Sequence, residues 1–328
     1  MYTLLGGIEA VIWSDVLQVF VLITGMLLSI VIIISRLDFD ISKITNTAIE
    51  YNKLRFIDFN LDLSKTTIWV FILYAFGKLN VYLSNQAIIQ RFISTNNEKE
   101  AGKSMVYNAV LSFPVFFIFL IFGVLIFVYY HHFPFNLNPL LETQDEVVPY
   151  FIISELPQGI SGIMIASLFA ASMSSFDSGI NSTTTVITTD FYIRYRLSIL
   201  GLNSLQFAKI LTAILGIFGT IIALYFANND VSSLYDMFIE IIGIFGGGLA
   251  GTFLLGIITI RGNSIGAFWG IIMSLFIVLV VKYFTSIHFF TYAFIGMGSS
   301  FLIGYLISLI FVSNPNNLKG LTLYTLKK

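Results

Sequence analysis

Apolar residues run along this chain in stretches of about 20, the length a helix needs to cross a hydrocarbon core about 30 Å thick. Polar connections part them. The pattern predicts eight membrane spans, near residues 10–36, 67–91, 104–130, 158–190, 205–228, 234–260, 265–284 and 289–312. The longest connection runs from Asp38 to Lys65, and no shift in composition marks a boundary, so residues 1–328 read as a single transmembrane domain. The first run carries Asp15 and is far longer than the apolar region of a secretory signal, which makes it a spanning helix.

Basic residues orient the spans. Arg91, Lys99 and Lys103 share one connection, Arg194, Arg196 and Lys209 another, and Arg261 with Lys319, Lys327 and Lys328 continue the alternation, so these connections are expected inside the cell. His131 to Pro149 has no Lys or Arg and holds Glu142, Asp145 and Glu146, as an external loop should, and Ala227 to Ser233 carries no positive charge. The histidine pair His131 and His132 reads as part of that loop, because neighbouring positions are not the helical spacing of a metal pair. The Asp38–Lys65 connection carries Lys43, Lys53, Arg55 and Lys65 yet falls on the outer side; its length and its balancing acids reduce its weight in the rule.

Composition narrows the class. Hydrophobic residues make up 57% of the chain and charged ones 11%, where soluble domains hold about a quarter charged. With a mean hydropathy of +0.88, the reading is an all-α polytopic protein of the cell membrane, with the lipid bilayer as its first partner. A net charge of −1 offers no basic face to phosphates, which excludes nucleic acid as a partner. Cysteine is absent, so disulfides, thiol catalysis and thiolate metal sites are excluded.

Polar side chains inside a bilayer are costly unless they face a cavity or a partner, so they are the functional candidates. In 156–190, hydroxyls and small residues interrupt an otherwise apolar run, and Ala171, Ser174, Ser175 and Ser178 stand at i, i+3, i+4 and i+7. Such a stripe lays hydroxyl and backbone oxygens along one helical face, the donor set that a hard cation such as sodium prefers. The same stripe also suits plain close packing of helices. Near the start of the first span, Trp13, Ser14, Asp15 and Gln18 follow Gly6 and Gly7, and Asp15 reads either as a buried acid or as a helix N-terminal acid at the interface. In the second span, Lys78, Tyr82 and Asn85 share one helical face beside Gly77, a residue that eases a local break. Mid-membrane, Lys78 calls for an acidic partner or an anionic solute. Glu240 is followed by Gly243 and by Gly246, Gly247 and Gly248, a run that either bends the helix or admits a close neighbour.

Four motifs in order, GGIEAVIWSDVLQ at 6–18, NQAIIQRFISTNNEKEAGKS at 85–104, LPQGISGIMIASLFAASMSSFDSGINSTTTVITTDFY at 156–192 and IIGIFGGGLAGTFLLG at 241–256, resemble the sodium:solute symporters across most of the chain. The resemblance implies a LeuT-type core of two five-helix inverted repeats, with solute and sodium near the midplane where broken helices cross. On that pattern the first span is the last helix of the first repeat, the next five form the second repeat, and the final two are peripheral. The first four core helices have no counterpart before Met1, so the expectation is either a fragment of a longer coding sequence or a truncated relative without the usual site.

The resemblance also implies roles for particular residues. Sodium ligands are the Ala171 carbonyl and the Ser174 and Ser175 hydroxyls, and Asp15 lines the sodium exit path or helps bind a further sodium. Asn85 matches a residue that contacts solute in sugar-carrying members, and the following residues match an inner gate, with Ala87 and Ile88 replacing the gate tyrosine. Ser112 stands where those members carry a solute-binding lysine and Ile239 where they carry a glutamine, which argues against a galactose-like site. Lys78 has no matching sodium residue, and its link to an anionic solute rests on position alone. Lys78, Asn85, Ser112 and Glu240 are thus the solute candidates, and Gly246–Gly248 with Ala87 and Ile88 the gate or hinge.

The expectation is sodium-coupled import of a small organic solute, a carboxylate such as a sialic acid or monocarboxylate, or a sugar. It needs no catalytic residue and no cofactor besides sodium as the coupling ion. A passive channel would also use a hydroxyl stripe. A membrane-embedded serine hydrolase would need a base beside Ser174: no histidine lies within the spans near it, and Asp177 or Lys78, which could serve in principle, come with no nucleophile-elbow pattern; a solute sensor would normally carry an appended soluble domain.

Overall fold

A computed structural model describes residues 2–54, 58–141, 143–196, 201–229, 233–311, 318 and 320–326, the first ten of these by backbone alone. Arg55, Glu142, Lys319, Lys327 and Lys328 of the charge pattern, and position 312 at the end of the last predicted span, lie outside the described residues. Regular structure among the described residues is helical throughout: α1 (Tyr2–Arg36), α2 (Ile41–Glu50), α3 (Ile68–Gly77), α4 (Leu79–Leu83), α5 (Gln86–Ile93), α6 (Glu98–His132), α7 (Val147–Ser154), α8 (Gln158–Val186), α9 (Ser204–Ala227), α10 (Leu234–Ile258), α11 (Ser264–Phe284) and α12 (Tyr292–Ile310). Seven helices among the described residues are long and apolar enough to cross a membrane.

The predicted span at 67–91 is the one that differs in kind. It divides into α3, α4 and α5, with Lys78 at the first junction and Ser84–Asn85 at the second. At the second, the Asn85 side chain accepts the Ala87 N–H at 3.0 Å, so a side-chain oxygen takes an amide at the start of the new helix. Lys78, Tyr82 and Asn85 therefore do not share one continuous helical face. The third span begins earlier than its apolar run, because Asn97 accepts the Glu100 N–H at 3.0 Å and Glu98 and Glu100 sit favourably at the positive helix end. It also ends later. His131 and His132 belong to its last turn, where His132 Nε2 lies 3.0 Å from Thr47 Oγ1 and the exposed His131 touches the rings of Tyr51 and Phe127, so they are helix residues and not a loop pair.

The backbone gathers into two compact units, Met1–Arg55 with Gln90–Ser232 and Phe56–Ile89 with Ser233–Lys328. In the first, α1 packs against α8 and α6 around Met26, Ile33, Leu125, Tyr129, Phe151 and Met164. Close approach of α1 to α8 is set at Gly25, where a Cβ would stand 2.7 Å from the Ser167 hydroxyl. That hydroxyl donates to the Val21 carbonyl across the interface at 3.0 Å. At the end of α1, Arg36 pairs with the carboxylate and the backbone carbonyl of Glu155 and donates to the Tyr129 hydroxyl at 2.9 Å. Tyr129 in turn donates to Glu155 Oε2 at 2.5 Å, so this buried acid has a cation and a hydroxyl on one carboxylate oxygen.

In the second unit α10 and α11 flank α12, and small residues decide how close they come. Helix α10 continues unbroken through Gly246, Gly247 and Gly248. A Cβ on Gly247 would overlap the Ala293 carbonyl oxygen and stand 3.0 Å from Ala293 Cα, while one on Gly248 would overlap the Ser274 hydroxyl. In this conformation the glycine run serves close packing, the second of the two readings its sequence allows.

Candidate functional site

Helix α8 carries the hydroxyl stripe as a regular helix, and α1 brings an acid to it. Ser174 Oγ donates to Asp15 Oδ1 at 2.5 Å. Ser175 Oγ instead donates back to the Ala171 carbonyl at 3.3 Å and lines a groove with Phe176, Gly179, Thr183, Leu215 and Phe218. Of the four expected sodium residues, the structure thus joins Asp15 to Ser174 and Ala171 to Ser175. The donors are oxygens throughout, a carboxylate, two hydroxyls and a carbonyl, which is the chemistry a hard monovalent cation accepts.

Arg91 of α5 completes the cluster, and sequence reasoning counted it only as an orienting charge. Its guanidinium donates to Asp15 Oδ2 at 2.6 Å and to Ser178 Oγ at 2.8 Å. The side chains of Arg91 and Asp15 are 29% and 18% exposed, so the pair is shielded on most sides. Beside it, Asn181 of α8 donates to Gln90 Oε1 at 3.4 Å, a second tie from α8 to the start of this segment. The available signal was Arg91 at the edge of an apolar span in a chain whose first span carries an unexplained acid.

The solute candidates go to different places. Lys78 Nζ stands 4.8 Å from the centre of the Tyr74 ring and lines a cavity with Tyr74, Gly77, Asn80, Ile239 and Phe290. The walls are mostly apolar, with Lys78 and the buried Asn80 as polar exceptions. Asn85 spends a side-chain oxygen on the Ala87 amide, and Ala87 and Ile88 form the first turn of α5. Glu240 pairs with Lys282 of α11 at 2.6 Å, so its carboxylate goes to a neighbouring helix and not to Lys78. Ser112 is exposed on α6 and donates to the Asn108 carbonyl at 2.6 Å, two residues before Pro114.

Membrane-length helices, one interrupted helix, and an acid set against a hydroxyl-bearing helix make up an all-helical multi-pass membrane fold, with features expected of the LeuT type. The chain superposes with a TM-score of 0.84, at 30% identity and over 96% of its length, on a solved structure described as the substrate-bound outward-open state of a Na+-coupled sialic acid symporter. Residues 1–274 match the sodium:solute symporter family, and the chain belongs to it. It is 32% identical over 97% of its length to the sodium/sialic acid symporter NanT of Aliivibrio fischeri (strain ATCC 700601 / ES114), covering 63% of that protein. It is 34% identical over 93% of its length to the sodium/sialic acid symporter SiaT of Proteus mirabilis (strain HI4320), covering 62%. The human sodium-coupled monocarboxylate transporter 1 matches at 28% identity over 85% of this chain and 46% of its own length. The chain therefore spans less than two thirds of the length of each of these relatives and 65% of the solved chain.

Proposed function

We propose that this chain serves sodium-coupled symport across the cell membrane, carrying a small organic carboxylate, with sialic acid or a monocarboxylate as the solute class. The observation that carries the reading is the contact of Asp15 with Ser174, which sets a negative charge against the hydroxyl stripe inside a membrane-length bundle. Charged groups within membrane helices are costly, pair with one another as Asp15 does with Arg91, and mark ion pathways. The names of the relatives supply the coupling ion and the solute class. The proposed sodium residues are the Ala171 carbonyl, the Ser174 and Ser175 hydroxyls and Asp15. Sodium drives transport by binding the outward-open state more tightly, which shifts populations toward solute capture. Each sodium charge moved through 100 mV contributes about 2.3 kcal/mol, before its concentration gradient is counted. The cycle makes and breaks no covalent bond and needs no catalytic residue.

Replacing both hydroxyls, Ser174→Ala with Ser175→Ala, is expected to remove the sodium dependence of uptake. Measured as uptake rate against sodium concentration, an unchanged curve would sink the assignment of these two residues. For the solute, the proposed anchor is Lys78, a cation on the wall of a mostly apolar cavity. Lys78→Met is expected to abolish uptake of a carboxylate while the sodium-induced rise in melting temperature persists; retained uptake at the wild-type rate would take Lys78 out of the solute site.

A further inference from the structure

We infer that Arg91 is a tethered competitor for the coupling cation: its guanidinium holds Asp15 in the absence of sodium and must withdraw for sodium to bind. The inference rests on the proposed reading of Asp15 and Ser174 as cation ligands. Both carboxylate oxygens of Asp15 are already engaged, Oδ1 by the Ser174 hydroxyl and Oδ2 by Arg91. The same guanidinium also covers Ser178, one of the stripe oxygens on α8. The positive charge of Arg91 compensates the very charge that would attract sodium, and two cations on one shielded carboxylate repel each other.

Competition by a side chain has a consequence that competition by a dissolved ion lacks. Arg91 stands on α5, just past the break at Ser84–Asn85. When sodium takes the carboxylate, α5 loses its ionic tie to α1 and its hydrogen bond to Ser178 of α8 together. Ion binding and the placing of α5 are then two ends of one equilibrium, and each biases the other equally. A purely structural Arg91, by contrast, would simply hold α5 in place, and its loss would weaken every property of the site.

The two roles differ in the sign of one measurement. If Arg91 competes, the arginine-bound form reduces the fraction of protein ready for sodium, and apparent affinity falls by that fraction. Arg91→Gln is then expected to lower the half-saturating sodium concentration about fivefold. The readouts are uptake in proteoliposomes and the sodium-induced rise in melting temperature of the purified protein in its full natural length. Arg91→Lys keeps a cation but loses the fork that reaches Asp15 and Ser178 together, and is expected to lower it about twofold. If the Gln variant does not fold, the Lys variant decides the matter by the same sign. A half-saturating concentration that is unchanged or raised in the variants, while wild type responds to sodium and Asp15→Asn does not, overturns the inference and leaves the sodium site standing. A full sodium response in Asp15→Asn overturns both.

Discussion

Asp15→Asn is expected to lose most of the sodium stimulation of uptake at sodium concentrations that saturate the wild type. The substitution keeps the size and one acceptor oxygen of the side chain but removes the only charge in the proposed ligand set, the others being hydroxyls and a carbonyl. A hydrogen-bonded charged group contributes about 1.5–3 kcal/mol, so the half-saturating sodium concentration should rise by about ten- to a hundredfold. There is a structural cost as well. Arg91 loses its carboxylate at 2.6 Å and keeps Ser178, so the variant should also lose about 1–3 kcal/mol of stability. The two effects separate experimentally, because adding sodium stabilises wild type and would leave the variant's melting temperature where it was. A variant with the wild-type sodium curve would remove Asp15 from the cation path.

Gly247→Val is expected to prevent the second unit from assembling. The space for even one methyl at Gly247 is taken by the Ala293 carbonyl oxygen and Cα of α12, and these are backbone atoms that cannot rotate aside. Overpacking where side chains can adjust costs about 1–3 kcal/mol; here two helices would have to part along their contact, so the loss should exceed that range. Gly256 provides the control on the same helix. A Cβ there meets nothing within 4 Å, so Gly256→Ala should be neutral or gain about 0.5–1 kcal/mol from helix propensity. Yield of monodisperse protein and melting temperature in detergent would show the contrast, and a Gly247→Val protein that melts like wild type would contradict the packing described.

The all-helical membrane fold and the family were legible because both are written in local pattern. Apolar run length encodes a membrane helix directly, and the spacing of Ala171, Ser174, Ser175 and Ser178 encodes one face of α8. The break within 67–91 was less legible. Hydropathy is similar on both sides of Lys78, and the second interruption depends on whether Asn85 spends its side chain on the Ala87 amide, a competition of hydrogen bonds that apolar content does not report. Gly77 was read as a place for a break, and a junction does fall beside it, with the glycine itself seated against Ala293.

What remained hidden was pairing at long range. Arg91 looked like an orienting charge because its acid stands 76 positions earlier in the chain, and Glu240 looked available for solute because Lys282 belongs to a separate span. Charges inside a bundle take their meaning from partners that periodicity cannot name. The glycine run at 246–248 carried two readings for a related reason: glycine both weakens a helix and admits a neighbour, and only the position of α12 decides between them.

The most direct test of sodium-coupled symport is accumulation of labelled sialic acid by proteoliposomes holding the protein in its full natural length, under an inward sodium gradient and under an equal potassium gradient. Saturable uptake that rises above the outside concentration in sodium, and collapses when a sodium ionophore dissipates the gradient, is the predicted result. Uptake that never exceeds equilibrium, or that proceeds equally well in potassium, would contradict it.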